Sequence, residues 1–222
     1  MIEHLFDLYR TVARRFVVVV NPSAAALVKA HCDAVAPNLG VEYARQTEPT
    51  GMLDAVLLAA DAVRRSRVDR VWITWCDQVG VHPDTVATLQ RLSTEQADAS
   101  MVLPTARQES PYIHFERDEA GRIIGIRQRR EGDTMPSVGE SDMGLFSLSP
   151  DSYFRWLPRF GLEATRASAT RERNFLPFIP WLAKKGQRLY TFPCTDDIEA
   201  VGVNTPEDRR RLERYLLERD RS

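Results

Sequence analysis

The sequence predicts an α/β fold in which a mostly parallel, mixed β-sheet is flanked by helices. The first observation behind this prediction is that helical apolar spacing alternates with short β-branched runs through about residue 104. This alternation is typical of right-handed βαβ units, whose strands are parallel. The second observation is a hairpin pattern after residue 112, which predicts an elaboration of the same domain. A chain of 222 residues is long enough to bury a sizeable core as one domain, 1–222.

The first half of the chain is predicted to hold four strands separated by helices. Residues 2–9 have apolar positions at helical spacing, and the run RFVVVV that follows predicts a strand buried on both faces. Further strands are predicted in VEYARQ, DRVWITW and SMVLP, and helices are predicted to begin at Pro22, Gly51 and His82.

The second half is predicted to start with a β-hairpin, whose strands YIHFER and GRIIGIRQR flank the turn Asp118–Gly121. In the second hairpin strand, alternation places Gln128 and Arg130 on the same face as Ile124 and Ile126. The remaining predictions are a single strand in DMGLFSL, a helix around the prolines of NFLPFIPWL, a late strand in QRLYTFP, and an apolar segment AVGVN before a last helix with Thr205 as N-cap.

Composition argues against several classes of protein. The net charge is −1, which disfavours a nucleic-acid partner because such proteins carry a basic surface. The 3 cysteines are far apart and form no CxxC pair, which favours a reducing compartment over a disulfide framework or a zinc site. No apolar run approaches the roughly 20 residues of a membrane span, and acidic residues near the N-terminus argue against a signal peptide. We therefore expect a cytoplasmic protein without a membrane partner.

Two oxygen-bearing side chains come at the ends of apolar segments that are predicted to lie side by side. Asp77 follows the predicted strand VWITWC, and Asn204 ends the segment AVGVN. Ligands of open α/β sheets bind beyond the carboxyl ends of the strands. A carboxylate and an amide oxygen there would suit Mg²⁺, which takes few protein ligands and completes its shell with water and phosphate oxygens. The alternative is that the aspartate caps the next helix and the asparagine lies in a turn.

The loop between the second strand and the third helix is a second candidate site. Gly51 at the start of that helix would permit close approach of a ligand to main-chain N–H groups. Asp54 in the first helical turn would repel a phosphate, so the loop, which begins at Gln46, suits a base or a ribose better. An ordinary strand-to-helix connection is an equally good interpretation of the local sequence.

Other positions give weaker signals. Gln128 and Arg130 could meet a ligand or form a solvated basic edge, and Asp142 could be a turn residue or accept a hydroxyl. The sequence contains no GxGxxG, P-loop, GxSxG or HExxH motif, so dehydrogenase, acyl-transfer and metalloprotease chemistry lack their required residues.

Taken in order, these segments resemble the sugar-phosphate nucleotidyltransferases, and in particular the N-acetylglucosamine-1-phosphate uridylyltransferase and molybdenum-cofactor guanylyltransferase group. The resemblance covers nearly the whole chain. QTEPTGMLDAVL is similar to the family loop Q-x(4)-G-[TM]-x-x-A, and ITWCDQVGVHPDTV to hhhhGDxPhhxxxTh. DEAGRIIGIRQRREG is similar to the family hairpin, ESDMGLF to ExNxGhY, and EAVGVNTPEDRRRLE to hxGVNTPEDL. The family's fold is Rossmann-like.

The resemblance implies an activity and a role for each matching residue. A sugar-1-phosphate oxygen attacks the α-phosphorus of a nucleoside triphosphate, and pyrophosphate leaves with the help of Mg²⁺. Asp77 and Asn204 would be the metal ligands, with Asp77 essential for catalysis. Gln46, Gly51 and Met52 would contact the nucleotide, while Gln128 and Asp142 would hold sugar hydroxyls. Residues 1–108 would form the nucleotide-binding half and residues 109–222 the sugar-binding half.

The sequence also departs from the family pattern. The family's first strand and its glycine-rich loop hAAGxGTRh…PK, which holds the triphosphate, have no counterpart here. A truncated or misplaced start is the favoured explanation; the others are a non-catalytic nucleotide-sugar-binding relative and a partner chain that supplies the loop. Without that strand, its two neighbours would face each other across a gap. Cys76 replaces a Gly, Asp142 replaces an Asn, and Met52 occupies a Thr position, so the base and the acceptor sugar stay open.

Overall fold

The computed structural model, which describes residues 1–65 and 67–219, has the predicted mixed α/β architecture. The strands are β1 (Arg15–Val20), β2 (Gly40–Arg45), β3 (Val71–Thr74), β4 (Met101–Glu109), β5 (Ile113–Arg117), β6 (Ile123–Gln128), β7 (Val138–Asp142), β8 (Leu145–Leu148) and β9 (Leu189–Pro193). The α-helices are α1 (Ile2–Tyr9), α2 (Pro22–Val35), α3 (Met52–Leu58), α4 (Ala60–Arg64), α5 (Pro83–Glu95), α6 (Leu157–Glu163), α7 (Phe178–Lys184) and α8 (Pro206–Arg219). A π-helical turn, Ser152–Trp156, precedes α6, and 3₁₀ turns lie at Arg129–Glu131 and Asp197–Ala200.

The main sheet has five strands, in which β3 pairs with β8, and β4 pairs with β8, β7 and β9. Strands β3 and β4 are both antiparallel to β8, and β9 is parallel to β4. The carboxyl ends of β3, β4 and β9 therefore lie at one edge of the sheet, which is the edge where α/β proteins bind ligands. The predicted hairpin of β5 and β6 is present, and it forms a two-stranded sheet of its own.

Strands β1 and β2 form a separate parallel pair. Within residues 1–65 and 67–219, no hydrogen-bonded ladder joins β1 to β3. Helix α1 packs on both pieces: the Phe6 ring lies 5.1 Å from that of Phe16, and Tyr9 Oη lies 3.4 Å from Thr74 Oγ1. The expectation that β1 is buried on both faces is wrong, because only Val20 of this strand is buried. The run of β-branched residues in β1 is suited to a central strand, yet within the described residues this strand has one unpaired edge.

Three local predictions are corrected by the structure. The segment DMGLFSL forms two strands, because the chain breaks at Met143 and Gly144 between β7 and β8. In β6 it is Ile123 and Ile126 that pack on the core, while Ile124 is exposed, since a bulge shifts the register opposite Glu116. Residues 201–204 are irregular rather than part of a strand, so Asn204 does not end one.

Two hydrophobic clusters hold the elements together. One lies on the side of α3, α6 and α7 and includes Leu53, Phe146 and Phe175. The other lies on the side of α1, α5 and α8 and includes Leu89 and Met143. Both clusters draw residues from before and after residue 108. No helix in the described parts of the chain is long and apolar enough to cross a bilayer.

Candidate active site

Asp77 lies just beyond the carboxyl end of β3, where the apolar strand leaves the core. Its main-chain oxygen accepts a hydrogen bond from Val203 N at 3.0 Å, which ties the segment before α8 to this strand end. The Asp77 carboxylate is half-buried, and no other residue within 1–65 and 67–219 donates a hydrogen bond to it. Burial raises the pKa of Asp77 above its ordinary value. A carboxylate with free lone pairs at a sheet edge is suited to bind a cation.

Asn204 lies beside Asp77, and Gly202 makes this possible. A Cβ atom added to Gly202 would lie 2.7 Å from Asp77 Oδ2 and 3.1 Å from Asn204 Nδ2, so both side chains converge on the space over this glycine. Asn204 Nδ2 donates to the Gly202 carbonyl at 3.3 Å, which leaves Asn204 Oδ1 free to accept or to bind a metal. Thr205 caps α8 as predicted, because its hydroxyl accepts from Asp208 N at 3.1 Å.

The donor set fits Mg²⁺. The ion needs only one or two protein oxygens when phosphate oxygens and water complete its octahedral shell, and Asp77 and Asn204 offer a carboxylate and an amide oxygen. No cluster of three or more His, Cys, Asp or Glu side chains that could hold a metal occurs in residues 1–65 and 67–219. A metal with an all-protein shell, such as structural zinc, therefore has no candidate site in this part of the chain.

We expect Gly202→Ala to weaken cation binding by about tenfold while leaving the fold intact, because the added methyl group would displace the Asp77 carboxylate from Asn204. Calorimetric titration with Mn²⁺ measures the affinity. Gly40→Ala is the matched control, since a Cβ there makes only ordinary contacts at 3.6 Å. Equal affinities of the two variants would show that Gly202 does not shape the site.

Asp142 is brought towards Asp77 by the chain break between β7 and β8. Asp142 Oδ2 accepts from Gly144 N at 2.9 Å, and the Gly144 carbonyl accepts from Trp75 N at 3.1 Å, two residues before Asp77. Gly144 has φ +64°, and a Cβ there would lie 2.4 Å from Trp75 Cδ1, so only glycine permits this turn. Burial of its carboxyl group, with a smaller contribution from the charge on Asp77, raises the pKa of Asp142 to about 6.

This raised pKa predicts that Asp142→Asn stabilises the metal-free protein at neutral pH. Because the pKa in the folded state is above that in the unfolded state, the native carboxyl group binds its proton more tightly, and stability falls as the pH rises from about 4 through about 6. Asn stays neutral and keeps an acceptor for Gly144 N. We expect a gain of about 3 kcal/mol at about pH 7.5 that falls to about 1 kcal/mol at about pH 4.5, measured by urea denaturation in EDTA. The same gain at both pH values would contradict the titration.

The loop before α3 is held by a segment that the sequence did not point to. Gln46 Nε2 donates to the Gly51 carbonyl at 3.0 Å, so two predicted nucleotide contacts do lie together. Gly51 has φ +120°, and a Cβ there would lie 2.5 Å from Arg173 N and O. The close approach that this glycine permits is thus made by the main chain of Arg173, not left open for a ligand as expected. Arg173 N donates to the Thr50 carbonyl at 2.8 Å, and Leu53 N to the Arg173 carbonyl at 3.0 Å.

The side chain of Arg173 completes this contact. Its guanidinium pairs with the Asp54 carboxylate and donates to the Gly161 carbonyl. The negative charge of Asp54, which the sequence suggested would repel a phosphate, is therefore balanced by an arginine. The N–H of Gly51 donates to no other group within residues 1–65 and 67–219, and the Met52 side chain is exposed, so the loop still presents a free donor next to an apolar side chain.

Gln128 stands apart from the contacts described above. It is the last residue of β6, and its main-chain N–H donates to Asp133 Oδ2 at 2.7 Å. Its half-buried side chain makes no hydrogen bond within residues 1–65 and 67–219. A sugar-binding role for Gln128 stays a prediction, as does the base-binding role of Gln46.

Arg173 and Gly202 are site residues that sequence reasoning missed. Arg173 lies in the stretch ATRASATRER, whose composition indicates only a charged loop. Gly202 lies two residues before Asn204, and a glycine at that spacing was the one available signal of a tight approach.

Comparison with known families shows the family of this chain. Residues 1–137 match the model of the MobA-like NTP transferase domain, which is more than half of the chain. The chain belongs to this family. Bifunctional protein GlmU of Oleidesulfovibrio alaskensis is 25% identical over 181 residues, covering 80% of this chain and 38% of that protein. GlmU of Anaeromyxobacter sp. is 30% identical over 208 residues, covering 91% of this chain and 40% of that protein. The chain thus spans about 40% of the length of these curated relatives.

Solved structures share the fold at low sequence identity. A nucleoside-diphosphate-sugar pyrophosphorylase from Vibrio cholerae superposes with a TM-score of 0.67 at 14% identity, covering 96% of this chain and 85% of that one. HddC from Yersinia pseudotuberculosis superposes with a TM-score of 0.60, also at 14% identity. This superposition covers 96% of this chain and 83% of that one. These neighbours confirm the nucleotidyltransferase fold of this MobA-like NTP transferase domain.

Proposed function

We propose that this MobA-like NTP transferase domain joins a nucleoside triphosphate to a sugar-1-phosphate, giving a nucleotide-sugar and pyrophosphate. The observation that carries the proposal is the convergence of Asp77 and Asn204, 127 positions apart in the sequence, on the space over Gly202. Its family membership adds to this, since MobA-like domains are NTP transferases.

In the proposed reaction, the phosphate oxygen of the sugar attacks the α-phosphorus in line, and no covalent enzyme intermediate is required. Asp77 and Asn204 would hold the cation, and Mg²⁺ bound there would supply positive charge that offsets the charge of the phosphate oxygens. Gln46, Gly51 and Met52, in the half formed by residues 1–108, contact the base and the ribose.

The half formed by residues 109–222 orients the acceptor. Asp142 and Gln128 bind hydroxyl groups of the sugar-1-phosphate. Together with the metal ligands they fix the attacking oxygen close to phosphorus, so most of the rate gain comes from positioning and charge stabilisation.

We also keep the prediction that the protein is cytoplasmic.

A second candidate function is a non-catalytic module that binds a nucleotide-sugar. The separation of β1 from β3 favours it for this stretch of chain. In the resemblance described above, the strand between them leads into the loop that holds the triphosphate, and residues 1–15 contain no glycine-rich segment that could replace it. Turnover would then require that strand and loop, whether from further residues of the same protein or from a partner chain.

The experiment crosses a panel of nucleoside triphosphates with a panel of sugar-1-phosphates and reads pyrophosphate release in the presence of Mg²⁺. Calorimetry with the matching nucleotide-sugars runs in parallel. We expect Mg²⁺-dependent release with at least one pair once the glycine-rich strand and loop are present. Nucleotide-sugar binding without release in that longer protein would favour the second function, and neither binding nor release would overturn both.

A further inference from the structure

We propose that Glu199 is a positioning residue that fixes the two metal-ligand segments against each other. The segments are the Asp77 loop, residues 77–82, and the Asn204 loop, residues 201–205. This inference rests on the proposed function of Asp77 and Asn204. The sequence gives Glu199 no motif role, and its side chain does not contact either proposed ligand.

Glu199 is a fully buried carboxylate, with 0% of the residue exposed. Within residues 1–65 and 67–219 it forms no ion pair with Lys, Arg or His. Burying a charge without a counter-ion is costly unless hydrogen-bond donors replace the water it loses. A glutamate kept in such a place must therefore be held by donors that the surrounding chain aims at it.

Three donors surround the carboxylate. Oε2 accepts from His82 N at 2.8 Å, and Oε1 accepts from the Thr85 hydroxyl at 3.0 Å and from Asp196 N at 2.7 Å. The Asp196 bond belongs to a capping box within the 3₁₀ turn Asp197–Ala200 and is local. The other two bonds cross 117 and 114 positions of sequence to the end of the Asp77 loop and the first turn of α5.

These bonds close a ring that passes through Asp77 and through Val203, the residue before Asn204. At one end Glu199 binds His82, which ends the Asp77 loop. At the other end Val203 N donates to the Asp77 carbonyl at 3.0 Å, next to Asn204. Between the two ends, Gly80 lies next to Glu199, because a Cβ added to this glycine would make an ordinary contact of 3.7 Å with Glu199 Cα. The position of Asn204 relative to Asp77 thus depends on a carboxylate that touches neither of them.

Glu199→Gln is the sharpest change, because it keeps the size of the side chain and removes one acceptor. Whichever way the amide is turned, its NH₂ group faces either His82 N–H or Asp196 N–H, so one main-chain donor loses its partner. Asp196→Ala is the matched control. It removes the other half of the same capping box, the bond from Ile198 N to Asp196 Oδ1 at 3.0 Å, and leaves the link to His82 in place.

The test measures amide hydrogen exchange and Mn²⁺ affinity for the protein and both variants, at temperatures where all are folded. For Glu199→Gln we expect exchange at the His82 and Val203 amides to be at least about tenfold faster, with the β4 amides unchanged, and Mn²⁺ affinity to be weaker by about fivefold or more. For Asp196→Ala we expect both quantities to stay within about twofold.

The outcomes separate this inference from the proposed function. Unchanged exchange at Val203 in Glu199→Gln, or an equal increase in Asp196→Ala, would overturn the positioning role whether or not the protein binds Mn²⁺. If the unmodified protein fails to bind Mn²⁺ while the exchange pattern is as expected, the metal site is wrong and the role of Glu199 in fixing the two loops stands.

Discussion

Replacing Asp77 with Asn is expected to lower Mg²⁺-dependent pyrophosphate release by about a hundredfold or more. The amide has nearly the shape of the carboxylate, so the fold should be kept. The amide carries no negative charge, however. No other side chain within the described residues pairs with Asn204 over Gly202 at the end of β3, so none can replace the carboxylate. The measurement is the initial rate of pyrophosphate release against Mg²⁺ concentration, in the shortest version of the protein that catalyses this release.

Asp61→Asn is the matched control for this change. Asp61 is an exposed carboxylate in the first turn of α4 and lies outside the site. We expect the rate of pyrophosphate release by Asp61→Asn to equal that of the unmodified protein. We expect the thermal midpoints of Asp61→Asn and Asp77→Asn to be no lower than that of the unmodified protein. Undiminished release by Asp77→Asn would exclude the metal role of Asp77.

The second large effect concerns the gap between β1 and β3. We expect a version of the protein that is extended upstream by the family's first strand and its loop to be more stable than residues 1–222, by several kcal/mol. The unpaired edge of β1 presents main-chain N–H and C=O groups, and each such group costs about 1–3 kcal/mol when it is buried without a partner. The half-exposed valines of β1 would also become covered.

Urea denaturation followed by circular dichroism measures this difference. A matched control carries an extension of equal length in which the strand residues are interrupted by proline, which cannot pair in a central strand. We expect only the intact extension to raise the midpoint. Equal midpoints for all three proteins would show that the space between β1 and β3 does not take a strand.

The sequence was sufficient to predict the elements that depend on local pattern. The hairpin turn at Asp118–Gly121 and the Thr205 cap of α8 follow from turn and capping chemistry over a few residues. The proximity of Asp77 and Asn204 was one of two interpretations of the sequence, resting on the rule that ligand sites gather at one edge of an α/β sheet, and the family resemblance favoured it.

The remaining features depend on contacts between distant segments. Most of β1 is only half-buried and the strand pairs with β2 alone among the described residues, and a run of valines cannot report whether both of its edges are paired. The chain break at Gly144 depends on the packing of Trp75. The space next to Gly51 is closed because the main chain of Arg173 fills it. Buried Glu199 looks like an ordinary surface glutamate in the sequence, because two of its three partners lie more than a hundred positions away.

The divalent cations that Asp77 and Asn204 hold can be counted directly. Electron paramagnetic resonance titration with Mn²⁺, in the presence of the preferred nucleoside triphosphate, measures the bound ion in the unmodified protein, in Asp77→Asn and in Asn204→Ala. We expect a protein-dependent Mn²⁺ site that either substitution weakens by at least about tenfold. Full binding in both variants would show that these two side chains do not hold the ion.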